Sequence, residues 1–125
     1  MTPFARIALI GFGEVGETLG ADLLARRVPQ ISAFDILFSD ENSVPSRALA
    51  TVPVRAAAST ADAVRDAELI VSAVTAAADI EAARAVAAHI PRGAFFLDLN
   101  SASPATKRES AAIVAISLWA VLAGH

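Results

Sequence analysis

The chain has 125 residues, of which 55% are hydrophobic and 18% charged, and its formal net charge is −3. A chain of this size is expected to form one domain around one apolar core, which excludes a self-contained enzyme with two sizeable domains. The sequence has no cysteine, which excludes disulfides, thiolate metal sites and cysteine nucleophiles, and its acidic balance disfavours binding to nucleic acid or to an anionic membrane.

The first predicted elements are a strand, a glycine turn and a helix. Residues 5–10 form a short apolar run that ends at glycines, which is typical of a buried parallel strand entering a tight turn. The N-terminus lacks the pattern of a signal peptide, so we expect a mature start and a cytoplasmic protein. In residues 14–26, apolar side chains recur every four positions and predict one buried helix face, made by Val15, Leu19 and Leu23.

Strands and helices continue to alternate along the chain. Further apolar runs predict four more strands, at residues 30–35, 52–56, 68–74 and 94–99. Between them we predict a loop up to residue 53, a short helix capped at Ser59, an alanine-rich helix over residues 76–90 and a last helix that begins at Ser103-Pro104. The alternation predicts an α/β fold of the Rossmann type, a doubly wound and mainly parallel sheet with helices on both faces.

A glycine-rich motif follows the first predicted strand. Residues 11–16 are Gly-Phe-Gly-Glu-Val-Gly and match the G-x-G-x-x-G pattern between a strand and a helix. The first glycine permits the tight turn, the second leaves room for a pyrophosphate, and the third lets the helix pack close to the strand. The motif predicts a dinucleotide site formed by Gly11, Phe12, Gly13, Glu14, Val15 and Gly16. A glycine-rich turn that binds no ligand is the alternative.

An acid ends the second predicted strand. Asp35 lies nineteen residues after Gly16, where a carboxylate can accept both adenosine ribose hydroxyls and would repel a 2′-phosphate. This position favours NAD as the cofactor. No Arg or Lys occupies the next three positions, but Arg47 lies farther along the predicted loop, so NADP stays open. A solvated acid at a strand end is the alternative to a ribose contact.

A polar segment, residues 98–104, follows the fifth predicted strand and reads Asp-Leu-Asn-Ser-Ala-Ser-Pro. It lies at the edge of the sheet where open α/β proteins bind ligands. Together with residues 11–16, Asp35 and residues 74–78, this segment resembles the β-hydroxyacid dehydrogenases, the family of 6-phosphogluconate and 3-hydroxyisobutyrate dehydrogenases. A helix cap at Ser103-Pro104 would explain part of the segment in any protein.

The resemblance implies an NAD(P)-binding domain that serves hydride transfer between a nicotinamide cofactor and a small hydroxyacid. It implies that the nicotinamide side of the cofactor passes Val74 and Thr75, and that the substrate is held by Asn100, Ser101 and Ser103. The family's second, helical domain, which supplies a catalytic Lys, has no counterpart in this sequence. We therefore expect the chain to bind the cofactor with little turnover, and we assign no catalytic residue. A truncated or shifted reading frame would explain the missing domain.

The end of the sequence differs from the rest because it is almost entirely apolar. We predict a dinucleotide-binding domain over residues 1–110 and an apolar helical tail over residues 111–125, which is too short to cross a bilayer. Exposure of this tail would favour a homo-oligomer. A second hypothesis is therefore an NAD(H)-binding sensor or interaction module without catalysis, and a weaker third is methyl transfer from S-adenosylmethionine.

Other polar residues carry no predicted chemistry. The two histidines, His89 and His125, have no suitably spaced partner, so no metal site is expected. Lys107 is expected on a solvated helix face. Five acids are expected at helix caps or on solvated faces: Asp62, Asp66, Glu68, Asp79 and Glu81.

Overall fold

A computed structural model of the chain describes residues 4–100 and 104–122, without the side chains of residues 107 and 115–122. In this part of the chain, five parallel strands form one sheet in the order β3-β2-β1-β4-β5. They are β1 (Arg6–Ile10), β2 (Gln30–Phe34), β3 (Arg55–Ala56), β4 (Leu69–Ser72) and β5 (Phe95–Asp98). The α-helices are α1 (Glu14–Ala25), α2 (Val44–Ala48), α3 (Thr60–Val64), α4 (Asp79–Ala87) and α5 (Pro104–Leu122).

Helices cover both faces of the sheet. Successive side chains of β1 point to opposite faces, so Ile7 and Leu9 pack with α1 and α2, whereas Ala8 and Ile10 pack with α3, α4 and α5. A strand that is buried on both faces must be apolar throughout, which explains the continuous apolar runs of β1 and β4. The predicted Rossmann-type, doubly wound fold is confirmed.

The buried face of α1 differs from the predicted one. Leu19 and Leu23 are half-buried, but Val15 is 52% exposed, and the buried residues of the helix are Gly16 and Gly20. A Cβ at Gly20 would come within 3.2 Å and 3.3 Å of two core side chains. The prediction is wrong at Val15 because the helix approaches the sheet through its glycines, and this close approach sets its rotation.

The segment predicted as a loop up to residue 53 contains two helical segments. A 3-10 turn covers Ile36–Ser39, and α2 is capped by Ser43, whose hydroxyl oxygen accepts a hydrogen bond from the Ser46 N–H (3.3 Å). The Ser43 hydroxyl also donates to the carbonyl oxygen of Leu37 (2.8 Å). The prediction is wrong here because serines serve equally well as loop residues and as helix caps.

The edge strand β5 keeps one apolar face exposed. Phe95 and Leu97 are 64% and 47% exposed, and their register places them beside Leu69 and Val71 of β4. Because the side chains of Leu69 and Val71 belong to the core under α1 and α2, this is the α1 face of the sheet. Helix α1 packs against β1 and β2 and leaves the corresponding face of β5 in contact with solvent.

Helix α5 packs on α4 and continues without a break across the predicted boundary at residues 110 and 111. Ser110 and Val114 are buried, and Val114 joins the core beneath α4. None of the described helices has the length and apolar character needed to cross a membrane. The predicted role of the tail in self-association stays a prediction.

Candidate functional site

The glycine motif forms the turn between β1 and α1. Gly11 has a φ of +96°, in the region that favours glycine, and its N–H donates to the carbonyl oxygen of Phe34 (2.8 Å). A Cβ at Gly11 would overlap the carbonyl oxygen of Ala73, and a Cβ at Gly16 would overlap the carbonyl oxygen of Gly11. Both positions therefore require glycine because the backbone just after β1, the backbone just after β4 and the first turn of α1 meet there.

Gly13 differs from the other two motif glycines because it faces open space. Among the described residues, no heavy atom other than those of Gly13 and its chain neighbours lies within 4 Å of the place that a Cβ would occupy. Gly13 precedes the first residue of α1, and no side chain in residues 4–100 or 104–114 caps the first-turn N–H groups of this twelve-residue helix. The turn thus leaves a cradle lined by uncapped backbone donors at a helix N-terminus, which suits an anion.

The remaining motif residues differ in burial and in charge. Phe12 is fully buried, and its ring meets the ring of Phe38 edge-on at a centroid distance of 5.9 Å. Glu14 and Val15 are exposed in the first turn of α1. The carboxylate of Glu14 favours the positive end of the helix dipole, but its charge opposes an anion in the same place.

Asp35 joins the end of β2 to the glycine turn. Its Oδ2 accepts from the Phe12 N–H (2.9 Å), and its Oδ1 accepts from the Leu37 N–H (2.9 Å). The side chain is half-buried. Asp35 therefore lies beside the cradle, as the motif predicts, and it also fixes the backbone of the turn.

Asn100 connects the ends of β4 and β5 from inside the protein. Its side chain is buried, its Oδ1 accepts from the Val74 N–H (2.6 Å), and its Nδ2 donates to the Ser72 hydroxyl (3.1 Å) and to Asp79 Oδ1 (2.7 Å). Both amide hydrogens are thus engaged internally. The prediction that Asn100 holds substrate stays a prediction, and the structure gives its side chain an internal role.

A family model of the NAD-binding domain of 6-phosphogluconate dehydrogenase matches residues 6–122. The chain belongs to this family. The resemblance to 6-phosphogluconate and 3-hydroxyacid dehydrogenases is therefore confirmed for the NAD-binding domain. A search of curated proteins by sequence found no match.

Solved structures share the fold of this NAD-binding domain. A conserved hypothetical protein from Sinorhizobium meliloti 1021 is 31% identical with a TM-score of 0.78, and the match covers 89% of this chain and 38% of that one. A conserved protein of unknown function with structural similarity to 3-hydroxyacid dehydrogenases is 27% identical, with a TM-score of 0.74 and coverages of 87% and 39%. For 3-hydroxyisobutyrate dehydrogenase from Mycobacterium tuberculosis the identity is 21%, the TM-score 0.79, and the coverages 90% and 37%. The chain spans less than two-fifths of the length of these proteins.

The other predicted site residues of the NAD-binding domain lie after β4 and β5. Val74 is half-buried and Thr75 exposed, directly beyond Ala73, whose carbonyl oxygen would meet a Cβ at Gly11. The fold therefore brings residues 74 and 75 next to the glycine turn. Ser101 and Ser103 lie outside the described residues, so their predicted substrate contacts stay predictions.

Two residues of the buried network were not predicted as parts of a site. Ser72 and Asp79 are both fully buried, and the prediction of a solvated Asp79 is wrong because its Oδ1 accepts from Asn100. The sequence feature that indicates a buried polar network is Ser72, a polar residue at the end of an otherwise apolar buried strand. Such a residue requires a polar partner, although the sequence does not show which one.

Two other acids of the domain brace its loops. Oε1 of Glu68 accepts from the N–H groups of Ala5 (2.7 Å) and Arg6 (3.0 Å), and these hydrogen bonds lower the pKa of Glu68. Asp62 accepts from the Ala58 N–H (3.0 Å) and from Arg55 (3.0 Å), which lower its pKa in the same way. Both contacts are structural and lie away from the cradle.

Two half-open pockets of the described residues lie away from the glycine turn. Cavities of about 530 Å³ and 720 Å³ are found at the amino ends of the strands, beside Gln30 and beside Arg6, whereas the glycine turn is at the carboxyl end of β1. Among the described residues, no group of three or more His, Asp or Glu side chains is arranged to hold a metal. The candidate cofactor site is the open space at Gly13, beside the point between β1 and β4 where the strand order reverses and where doubly wound sheets bind ligands.

Proposed function

We propose that this NAD-binding domain holds NAD(H) across the carboxyl ends of its central strands. In this proposal, the pyrophosphate lies on the backbone of residues 11–16 and the adenosine ribose lies at Asp35. The open space at Gly13 carries the proposal, because the two flanking glycines, Gly11 and Gly16, are filled by backbone and only Gly13 has room for a ligand. The uncapped N–H groups of α1 supply the donors for the phosphates.

Asp35 supports NAD over NADP. A carboxylate offers about four acceptor positions, and the N–H groups of Phe12 and Leu37 use two of them. The others can accept the two hydroxyls of the adenosine ribose. A 2′-phosphate in their place would meet the negative charge of Asp35, so NADP should bind more weakly.

The nicotinamide half and the substrate extend the proposal beyond the cradle. A nicotinamide ring bound beside Val74 and Thr75 would supply hydride chemistry for a small hydroxyacid. The proposed substrate contacts are Ser101 and Ser103, with Asn100 holding the backbone that leads into them. The substrate class rests on the family, and no catalytic acid or base is assigned in this chain.

Titration calorimetry with NADH and NADPH tests the proposal. We expect NADH to bind about tenfold more tightly than NADPH, since a tenfold ratio corresponds to about 1.4 kcal/mol. Asp35→Asn should narrow this ratio because it removes the charge that a 2′-phosphate meets. Asp40→Asn is the matched control, because Asp40 is an exposed acid on the same connection. Tighter binding of NADPH by the unmodified chain would overturn the cofactor preference, and binding of neither cofactor at millimolar concentration would overturn the function.

A further inference from the structure

A buried chain of hydrogen bonds runs from α4 through the segment after β5 to the segment after β4. Asp79, at the first position of α4, is fully buried, and its Oδ1 accepts from Asn100 Nδ2 (2.7 Å). Asn100 Oδ1 in turn accepts from the Val74 N–H (2.6 Å). Within the described residues, the second oxygen of Asp79 has no hydrogen-bond partner.

The direction of these hydrogen bonds is fixed by chemistry. A backbone N–H can only donate, so Val74 requires the oxygen of the Asn100 amide on its side. The Asn100 Nδ2 group must then find acceptors on its other side, and these are the Ser72 hydroxyl and Asp79. Replacement of Asp79 by an apolar residue would leave a buried amide hydrogen without its acceptor, which frees the amide to rotate away from Val74.

A buried carboxylate oxygen without a partner is a costly feature for a residue that serves packing alone. Leu or Ala at the same position of α4 would avoid that cost. The carboxylate at position 79 therefore indicates that the Asn100 amide must be held in one orientation. That orientation in turn holds the backbone at Val74.

The two ends of the proposed cofactor lie on opposite sides of β1. Asp35, at the end of β2, defines the adenosine side, whereas Val74, after β4, lies on the other side, since the strand order is β2-β1-β4. Among the described residues, the hydrogen bonds of the buried network reach Ser72 and Val74, and none of them reaches Asp35. A change at Asp79 should therefore affect the nicotinamide half of the cofactor and leave the adenosine half in place.

We infer that Asp79 is a positioning residue, which acts through Asn100 to hold the Val74 backbone against the nicotinamide half of a bound dinucleotide. The inference rests on the proposed function. It predicts different effects on the two halves of the ligand, which NADH and ADP can distinguish. ADP contains the adenosine and the pyrophosphate but lacks the nicotinamide riboside.

The experiment measures the affinities of NADH and ADP for the 125-residue chain and its variants by titration calorimetry. Asp79→Ala removes the acceptor and should lower NADH affinity about tenfold, the effect of one lost hydrogen bond to a charged group, while ADP affinity stays within twofold. Asp79→Asn can still present a carbonyl oxygen to Asn100 and should retain most of the NADH affinity. Glu81→Gln is the control, because it removes a charge from an exposed position in the same helix turn.

An exchange of the two groups tests the direction of the hydrogen bond. Asn100→Asp alone places two carboxylates together and should weaken NADH binding as Asp79→Ala does. The double variant Asp79→Asn/Asn100→Asp restores one donor and one acceptor and should recover NADH affinity. Thermal unfolding curves show that each variant is folded at the temperature of titration, and binding of ADP shows that its cradle is intact.

The outcomes separate this inference from the proposed function. Equal loss of NADH and ADP affinity in Asp79→Ala, or no loss of either, would overturn the positioning role while dinucleotide binding stands. The same conclusion follows if the unmodified chain binds NADH no more tightly than ADP. If the unmodified chain binds neither probe, the proposed function fails and the inference fails with it.

Discussion

The different surroundings of the motif glycines allow stability and ligand binding to be separated by a pair of substitutions. In Gly16→Ala, the new Cβ would overlap the carbonyl oxygen of Gly11, and backbone atoms must move to relieve the contact. In Gly13→Ala, the new Cβ enters open space, and the backbone at this position (φ −77°, ψ −155°) is extended and accessible to alanine. An added methyl group should therefore destabilise the fold at Gly16 but be tolerated by the fold at Gly13.

The expected magnitudes follow from these contacts. Overpacking against a fixed neighbour costs about 1–3 kcal/mol, so Gly16→Ala should lower Tm by roughly 4–15 °C in a domain of this size. Gly13→Ala should leave Tm unchanged or raise it, because alanine restricts the unfolded chain by about 0.4–1 kcal/mol. Its methyl group occupies the cradle, however, and should weaken NADH binding about tenfold or more, since a tenfold loss corresponds to about 1.4 kcal/mol.

Differential scanning calorimetry and NADH titration on both variants provide the measurement. The reasoning predicts a crossed result, in which Gly16→Ala is the less stable protein and Gly13→Ala is the weaker binder at a temperature where both are folded. A Gly13→Ala protein that binds NADH as well as the unmodified chain would refute the assignment of the cradle. A Gly16→Ala protein with an unchanged Tm would refute the packing argument.

Two further predictions concern charge. Glu14→Gln should raise NADH affinity about two- to fivefold at low salt, because it removes a negative charge beside the cradle whose repulsion is worth about 0.3–1 kcal/mol. The gain should shrink as salt is added. An unchanged affinity at low salt would count against phosphate binding at the cradle. Glu68→Gln should change the acid dependence of stability: the pKa of Glu68 is held below its ordinary value of 4.5, so its carboxylate stabilises the fold above that pH and loses this effect as the pH falls through the lowered pKa. The Tm difference between the unmodified chain and Glu68→Gln should therefore be largest near neutral pH and shrink as the pH falls below 4.5 and through the lowered pKa, and a difference that stays constant with pH would contradict the assignment.

The sequence was sufficient for the fold because its strands leave few choices. Ile70 and Val71 of β4 point to opposite faces and are both buried, so a continuous apolar run is the direct signature of a strand covered on both sides. The glycine motif gave the position of the turn for a similar reason, since a φ of +96° and backbone contacts at Gly11 restrict the residue type.

The sequence was insufficient where a residue type suits two environments. Asp79 follows an alanine-rich segment at a helix start, which is typical of a solvated acid at the positive end of a helix dipole. Its burial depends on Asn100, which lies 21 residues later in the chain, and no local pattern indicates that pairing. Val15 has the spacing of a core residue, yet Gly16 and Gly20 turn the helix so that Val15 faces solvent.

The double attachment of Asp35 has a consequence for protein engineering. A change of preference from NAD to NADP requires removal of the negative charge at Asp35 and a basic residue nearby for the 2′-phosphate. In this chain, replacement of Asp35 by a smaller residue would also release the N–H groups of Phe12 and Leu37, which the carboxylate holds at 2.9 Å. Asp35 both selects the ribose in the proposed function and holds the backbone of the glycine turn. A redesign must therefore first supply the glycine turn with another hydrogen-bond acceptor.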